Sequence, residues 1–391
     1  MNRTLSVIFI TIWLDAVGIG LIFPLLPQLL KEVVHTGDIA PYIGILAALY
    51  ALMQFIFAPL LGALSDNFGR RPILLISLAG AAINYLLMAF SSHLWPLLLG
   101  RAIAGLTSAN LSVAMAWLTD VTPAEKRAGR FGLFNATFGA GFIIGPVLGG
   151  VLGDYALRLP FIVAAVLNGA NFLLALLALK ESRRPAKRKM ALAELNPLRP
   201  MHWLFSVKGL LTIALVFFFL SATGEVYGTC WTLWGQDMFH WNGLWVGLSL
   251  GVFGVCQMLA QAFLPGPATR RLGERGAILC GIASTSAALI ILSLAQQGWI
   301  VFAVMPLIAL GGIGTPALQA LATRQVSDDR QGQLQGVLAS TVSLASIVAP
   351  LAFSSLYFAL RTWWPGAIWL SVVVLYAFTV PLIYRCTRRE T

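Results

Sequence analysis

Charge is scarce in this chain: of 391 residues only 10% are Asp, Glu, Lys or Arg, against 58% hydrophobic. Soluble domains carry about 25% charged residues, so an ordinary water-exposed globule is excluded. Cysteine is scarce as well. Cys230, Cys256 and Cys280 fall in apolar stretches and Cys386 near the C-terminus, which leaves no disulfide framework to read. His35, His93, His202 and His240 are scattered without metal-ligand spacing. None of the six lysines follows a glycine, so a phosphate-cradling P-loop, and ATP hydrolysis by that route, is absent. No nucleophile–base pair and no metal cluster points to an enzyme, and no cofactor is called for.

What fills the sequence instead is hydrocarbon. Only Asp15 lies between Arg3 and Lys31, nothing charged between Arg130 and Asp154, and only Glu225 between Lys208 and Asp237. Each run exceeds the roughly 20 residues that a helix needs to cross a bilayer. Dividing the runs at charges and turn signals predicts twelve helical spans, near 5–30, 40–62, 72–90, 94–118, 130–153, 160–180, 209–233, 244–266, 277–297, 299–321, 334–358 and 366–384. The first is too long for a signal peptide and lacks a small-residue cleavage site, so it reads as a mature helix.

The net charge of +11 reads as topology rather than nucleic-acid binding. Counting from a cytoplasmic N-terminus, 22 of the 26 Lys and Arg fall on cytoplasmic segments; Lys31, Arg158 and Arg361 fall outside and Arg101 within a span. That bias is the positive-inside rule, and it places both termini in the cytoplasm. The lipid bilayer is thus a partner and nucleic acid is not.

The stretch GALSDNFGRRP, from Gly62 to Pro72, recurs in form as GPATRRLGERG 204 positions later. The same shift aligns Gly62 with Gly266, Gly69 with Gly273, Arg71 with Arg275, Gly132 with Gly336, Thr137 with Thr341 and Pro146 with Pro350. Spans 2 to 5 therefore recur as spans 8 to 11, which predicts an all-α membrane protein of two pseudo-symmetric six-helix halves, 1–180 and 209–391. Between them, 181–208 carries Arg183, Arg184, Lys187, Arg188 and Lys189 and reads as a cytoplasmic linker against anionic lipid heads. Its segment NPLRPMHWLF is placed along the interface.

An ionisable group at the bilayer centre costs at least roughly 2.5 kcal/mol, so its presence marks a function. Asp15, Arg101 and Glu225 qualify, in spans 1, 4 and 7. Low dielectric disfavours an ionised carboxylate, which suits Asp15 and Glu225 to take up and release protons, with Arg101 as a trigger for release. A static cap or pair is the competing reading for both acids. Gln54, Asn110, Asn135, Gln257 and Gln261 are polar groups in apolar spans that must find partners or line water. Trp231, Trp234 and Phe217 to Phe219 could stack a flat ligand, or face lipid or core instead. Trp241, Trp245, Trp363 and Trp364 read as interfacial belt residues.

With LDAVGIGLIFPLLPQLL in span 1, GALSDNFGRRPILL after span 2, LLLGRAIAGL in span 4 and GWIVFAVMPLIALGGIGTPALQ around span 10, the chain resembles the major facilitator superfamily. Within it the likeness is to the twelve-span drug:proton antiporters, most of all the Gram-negative tetracycline efflux proteins. In span 5, Gly132, Gly141, Gly145, Pro146, Gly149 and Gly150 satisfy that group's G-x8-G-x3-GP-x2-GG pattern, where glycines let helices touch and proline bends one.

The resemblance implies a bacterial inner-membrane exporter of an amphipathic, tetracycline-like drug. It would be driven by the proton gradient through alternating access of two halves about a midplane cavity. Gly62 and Gly69 permit a tight turn, and Asp66 between them can accept hydrogen bonds from a neighbouring helix N-terminus and pair with arginine. The resemblance implies a cytoplasmic latch in which Asp66 couples to Arg70 and to Arg127 or Arg130 of the loop between spans 4 and 5, beside Arg71. In the second copy Arg270 and Glu274 replace Asp66 and Arg70, which makes the latch asymmetric. Asn84 and Thr285 stand where those relatives carry aspartates, and Glu225 where they carry glutamine. An exporter of another drug or metabolite therefore stays open. A nutrient symporter is disfavoured by the span 5 pattern, and a transport-dead receptor would leave the buried acids without a task.

Overall fold

The computed structural model describes residues 3–36, 38–182, 210–324 and 331–387. The basic run of the expected linker and NPLRPMHWLF lie outside them. Among the described residues, twelve helices are long and apolar enough to cross a membrane. Leu177, Phe90 and Phe263 are among many large apolar side chains left exposed, as suits helices in contact with lipid. The driving force for their placement is transfer to hydrocarbon rather than burial inside the protein.

In chain order the helices are α1 (Arg3–Ile22), α2 (Leu26–Val34), α3 (Ala40–Phe68), α4 (Arg70–Phe90), α5 (Leu94–Leu106), α6 (Asn110–Asp120), α7 (Ala124–Tyr155) and α8 (Leu159–Ala178). The second set is α9 (Leu210–Phe239), α10 (Gly243–Phe263), α11 (Pro265–Leu294), α12 (Gly298–Ala309), α13 (Gly314–Arg324), α14 (Gln331–Leu360) and α15 (Ala367–Thr387). Three expected spans are interrupted. The first breaks at Phe23–Leu25, where Pro24 has no N–H to continue the ladder, and resumes as the amphipathic α2. The fourth breaks between α5 and α6 at Thr107–Ala109, and the tenth tightens to a 3-10 turn at Leu310–Ile313 between α12 and α13. A shift of 204 maps Thr107–Ala109 onto Gly311–Ile313, so the internal repeat extends to its interruptions.

The chain divides into two compact units. One holds Met1–Ile39, Leu49–Pro197 and Asn242–Gly251; the other holds Ala40–Ala48, Leu198–Trp241 and Val252–Thr391. In the first, α1 lies against α7 and α8, and α4 against α8, around a core that includes Ile8, Ile12, Leu74, Leu78, Trp117 and Phe134. In the second, α9 packs on α14 and α15, and α11 on α12, α13 and α15.

Close approach explains most of the span 5 glycines. A methyl on Gly149 would lie 2.1 Å from the Leu21 carbonyl oxygen, one on Gly145 2.7 Å from Gly20 Cα, and one on Gly141 2.7 Å from the Trp13 carbonyl oxygen. These seat α7 on α1 backbone to backbone. One on Gly150 would lie 2.3 Å from the Gly243 carbonyl oxygen, and Gly247 abuts the Pro146 carbonyl, which seats the first turns of α10 on α7. Gly132 meets nothing within 4 Å, so its place in the pattern has no packing reason here. Gly62 also has open space and lies inside α3, so it makes no turn; the turn belongs to Gly69 alone, at φ 104°. Its repeat mate Gly273 bends α11 at φ 68°. Trp241, expected in the interfacial belt, is buried against Phe239 and Phe302.

Gly149→Ala overpacks this seam and is expected to cost ~1–3 kcal/mol, lowering the apparent unfolding midpoint of detergent-purified protein. Gly132→Ala should leave the midpoint unchanged, and equal effects would contradict the packing described.

Candidate functional site

The interruption of the fourth span organises a polar cluster inside the first unit. Gly105 lets α5 close on α3, since a methyl there would lie 2.4 Å from the Tyr50 carbonyl oxygen and 2.8 Å from Met53 Cβ. Thr107 turns its hydroxyl back to the Ile103 carbonyl at 2.8 Å, as its N–H also does. Ser108 is thereby free to face α3: its Oγ accepts from Gln54 Nε2 at 3.0 Å and lies 2.7 Å from Tyr50 Oη. Two residues on, Asn110 opens α6 and donates from Nδ2 to Asp15 Oδ1 at 2.9 Å. A helix N-terminus thus begins in mid-span next to the only acid of α1.

Asp15 is 3% exposed, and its hydrogen-bond partner is a neutral amide. Arg101 sits with its guanidinium 5.9 Å from the Tyr50 ring centroid, within cation–π range. Its Nε, and Asn110 Oδ1, have no hydrogen-bond partner among the described residues. Tyr85 of α4 is buried against Gly18 of α1, about one turn from Asp15. Sequence reasoning found Asp15, Gln54, Arg101 and Asn110 but missed Tyr50, Tyr85 and Ser108, because a tyrosine or serine in an apolar span carries no charge signal. Asn84 is buried on α4, where its Oδ1 faces Gly100 rather than Asp15. Asn135 is exposed on α7.

In the second unit, Glu225 of α9 accepts from Ser346 Oγ of α14 at 2.5 Å. One and a half turns along α9, Trp231 joins a closed aromatic cluster with Tyr227, Trp234 and Trp369, at centroid spacings of 5.6 to 6.0 Å. Tyr227 also stacks on Phe253 of α10. Asp237, which served only as a boundary marker in the sequence, lies inside α9. It accepts from Tyr357 Oη at 2.7 Å and pairs with Arg361 at 3.3 Å. Gln257 reaches over Gly312 of the 3-10 turn, the repeat mate of Ser108, while Gln261 is exposed.

At the end of the first unit where α3 turns into α4, Arg70 pairs with Asp66 at 2.7 Å and with Asp120 at 3.2 Å, and donates to Ser65 Oγ. The expectation that Asp66 accepts from a neighbouring helix N-terminus is not met among the described residues, where another acid caps α4. Glu181 does so, accepting the backbone N–H groups of Arg70 and Arg71 at 2.8 and 3.1 Å. Asp66 is on the wrong side of the Gly69 turn for those donors. Arg71 reaches the Leu176 carbonyl, which ties α4 to α8. Arg127 bonds the Thr122 carbonyl instead of Asp66, and Arg130 Nη1 is buried without a partner among the described residues.

The sequence profile of the Major Facilitator Superfamily matches residues 8–251 and 213–391. The "Tetracycline resistance protein, class C" of Escherichia coli is 48% identical over 384 residues, covering 98% of this chain and 97% of that protein. The class G protein of Vibrio anguillarum is 43% identical, with 98% of each chain covered. Among solved structures, that of a mutant of the nucleoside transporter NupG superposes with a TM-score of 0.83 at 12% identity, covering 98% of this chain and all of that one, a likeness of fold.

Removing the Glu181 cap by Glu181→Ala should cost ~1–2 kcal/mol of stability, seen as a lowered unfolding midpoint in detergent. Asp66→Ala breaks an ion pair whose acid is 57% exposed and should cost only ~0–1 kcal/mol. The reverse order would place the cap on Asp66 after all.

Proposed function

This chain belongs to the Major Facilitator Superfamily, and from that premise we propose that it exports tetracycline-type drugs in exchange for protons. It is a multi-pass membrane transporter and not an enzyme. On our reading it lies in a bacterial inner membrane with both termini cytoplasmic, and alternates access between the halves 1–180 and 209–391 joined by 181–208. Full-length identity of 48% to a tetracycline resistance protein supports the drug class.

The observation that carries the proton coupling is the environment of Asp15. A buried acid fixed in an ion pair is held ionised; one whose hydrogen-bond partner is an amide can exist in either form. Asn110 serves both forms. Its Nδ2 donates to the carboxylate, and its Oδ1, which has no partner among the described residues, would accept from the protonated acid once the amide turns over. Glu225 stands likewise against the Ser346 hydroxyl, which donates to the carboxylate and would accept from the acid. Asp237, by contrast, is held by Arg361 and Tyr357 and is assigned a structural role.

In the proposed cycle, the outward-facing state protonates Asp15 or Glu225, and drug binding from the cytoplasm accompanies release of that proton inward. Arg101, unpaired with a carboxylate among the described residues, favours release from an acid that approaches it. Gln54, Asn110, Asn135, Gln257, Gln261, Asn84 and Trp231 are retained as drug-contact candidates. The Asp66–Arg70–Asp120 cluster with Arg71, Arg127 and Arg130 is proposed as the cytoplasmic latch.

In inside-out vesicles energised to be acidic within, adding tetracycline should discharge protons through the wild type. Asp15→Asn and Glu225→Gln should each abolish that drug-linked flux, and normal flux in both would sink the assignment.

A further inference from the structure

Next to the 3-10 turn of the second unit lies a cavity of about 70 Å³ bordered by Gly281 and Thr285 of α11, Gly311, Gly314 and Thr315 of the tenth span, and Tyr376 of α15. It exists because three of these residues have no side chain. None of its lining residues is charged. Its floor is buried, with Thr285 4% and Tyr376 8% exposed, while Thr315 is exposed at its mouth.

The floor holds a donor with nothing to donate to. Buried threonines in these helices return their hydroxyl to the carbonyl one turn earlier: Thr229 to Glu225, Thr341 to Val337, Thr379 to Leu375. Thr285 makes no such bond among the described residues; its Oγ1 lies instead over Gly311, 1.9 Å from where a methyl on that glycine would sit. Thr223 gives its one hydroxyl hydrogen to the Leu220 carbonyl at 2.8 Å, so across the 3.2 Å contact Tyr376 Oη is the donor to Thr223 Oγ1 and keeps its acceptor capacity. An unpaired hydroxyl in the membrane interior is costly unless an occupant satisfies it.

Resting on the export reading above, we propose that this cavity is a drug subsite for an uncharged acceptor-and-donor group, a primary carboxamide such as tetracycline carries on its first ring. The volume equals about two waters, which fits the three heavy atoms of a carboxamide. The hydroxyl of Thr285 would give a hydrogen bond to its oxygen, and Tyr376 Oη and, at the mouth, Thr315 would accept from its nitrogen. A charged group is excluded, since nothing in the lining offsets the loss of its hydration.

Gly314→Ala tests this without threatening the fold. The residue is helical at φ −69° and ψ −32°, and the added methyl would meet Ile278 at 3.5 Å or more, ordinary contact that narrows the cavity. Thr285→Val removes the hydroxyl at nearly constant shape. Affinity is measured by fluorescence titration of the purified full-length protein with tetracycline and with its nitrile analogue, in which dehydration has removed the carboxamide. We expect each variant to bind tetracycline about tenfold more weakly, one hydrogen bond's worth, and the nitrile as the wild type does. Unchanged affinities, or equal losses for both ligands, would overturn the subsite while leaving the export reading standing. A wild type that binds neither ligand would overturn both.

Discussion

Hydrocarbon offers no hydrogen bonds, so every backbone group in a membrane span must be satisfied from within the chain. Uninterrupted helices meet that demand at once, and most of this chain obeys. The places where it does not are therefore informative. The break at Thr107–Ala109 is tolerated because Thr107 and Ser108 supply local bonds to Ile103 and Gly105, and because α3 brings Tyr50 and Gln54 to Ser108. An interruption that would be costly in bare lipid becomes the scaffold for Asn110 and, through it, Asp15.

The same constraint separates two kinds of acid. Asp237 has a guanidinium and a phenol in contact, and is neutralised in place. Among the described residues Asp15 has neither, only a carboxamide that donates to it and carries an acceptor as well. Charge in low dielectric is expensive unless paired, and neutralisation by a proton is the alternative open to an acid without a counter-charge. On the export reading proposed above, which acid is mobile in its protonation and which is fixed follows from their neighbours, not from their depth alone.

Fold class, span number and the internal repeat were legible because hydrocarbon runs, basic loops and a constant shift are one-dimensional signals. So were Asp15, Arg101 and Glu225, since charge in an apolar run stands out in sequence. Glu181 and Asp120 were not, because they lie about 110 and 50 residues from Arg70 and meet it only once α8 and α6 have packed on α4. Asp66 draws the capping role in place of Glu181 by mere proximity in sequence. Tyr50 and Ser108 were invisible for a related reason: each is ordinary alone, and only the closure of α5 on α3 at Gly105 joins them. The glycine pattern of span 5 was read as a unit, yet only contacts separate Gly149, which has no room to spare, from Gly132, which has plenty.

The repeat also shows how two halves of one ancestry diverge. At the turn after the second span of each half, Gly69 and Gly273 keep the same left-handed backbone, but Arg71 anchors to the Leu176 carbonyl whereas Arg275 lies 3.8 Å from the Tyr384 ring centroid. In the first half the fourth span's Thr107 sits over Gly80 of α4; in the second, its repeat mate is Gly311, and Thr285 of α11 sits over that glycine instead. The interlock of hydroxyl and glycine survives with donor and acceptor helices exchanged. Because the exchange moves the hydroxyl from the broken helix to its neighbour, it leaves Gly311 and Gly312 of the second break without side chains. Bareness at that point is what opens a cavity in one half, while in the other Ser108 draws Tyr50 and Gln54 into contact. Equivalent backbones have thus been fitted with different chemistry, and pseudo-symmetry of fold carries no implication that the two halves perform the same step.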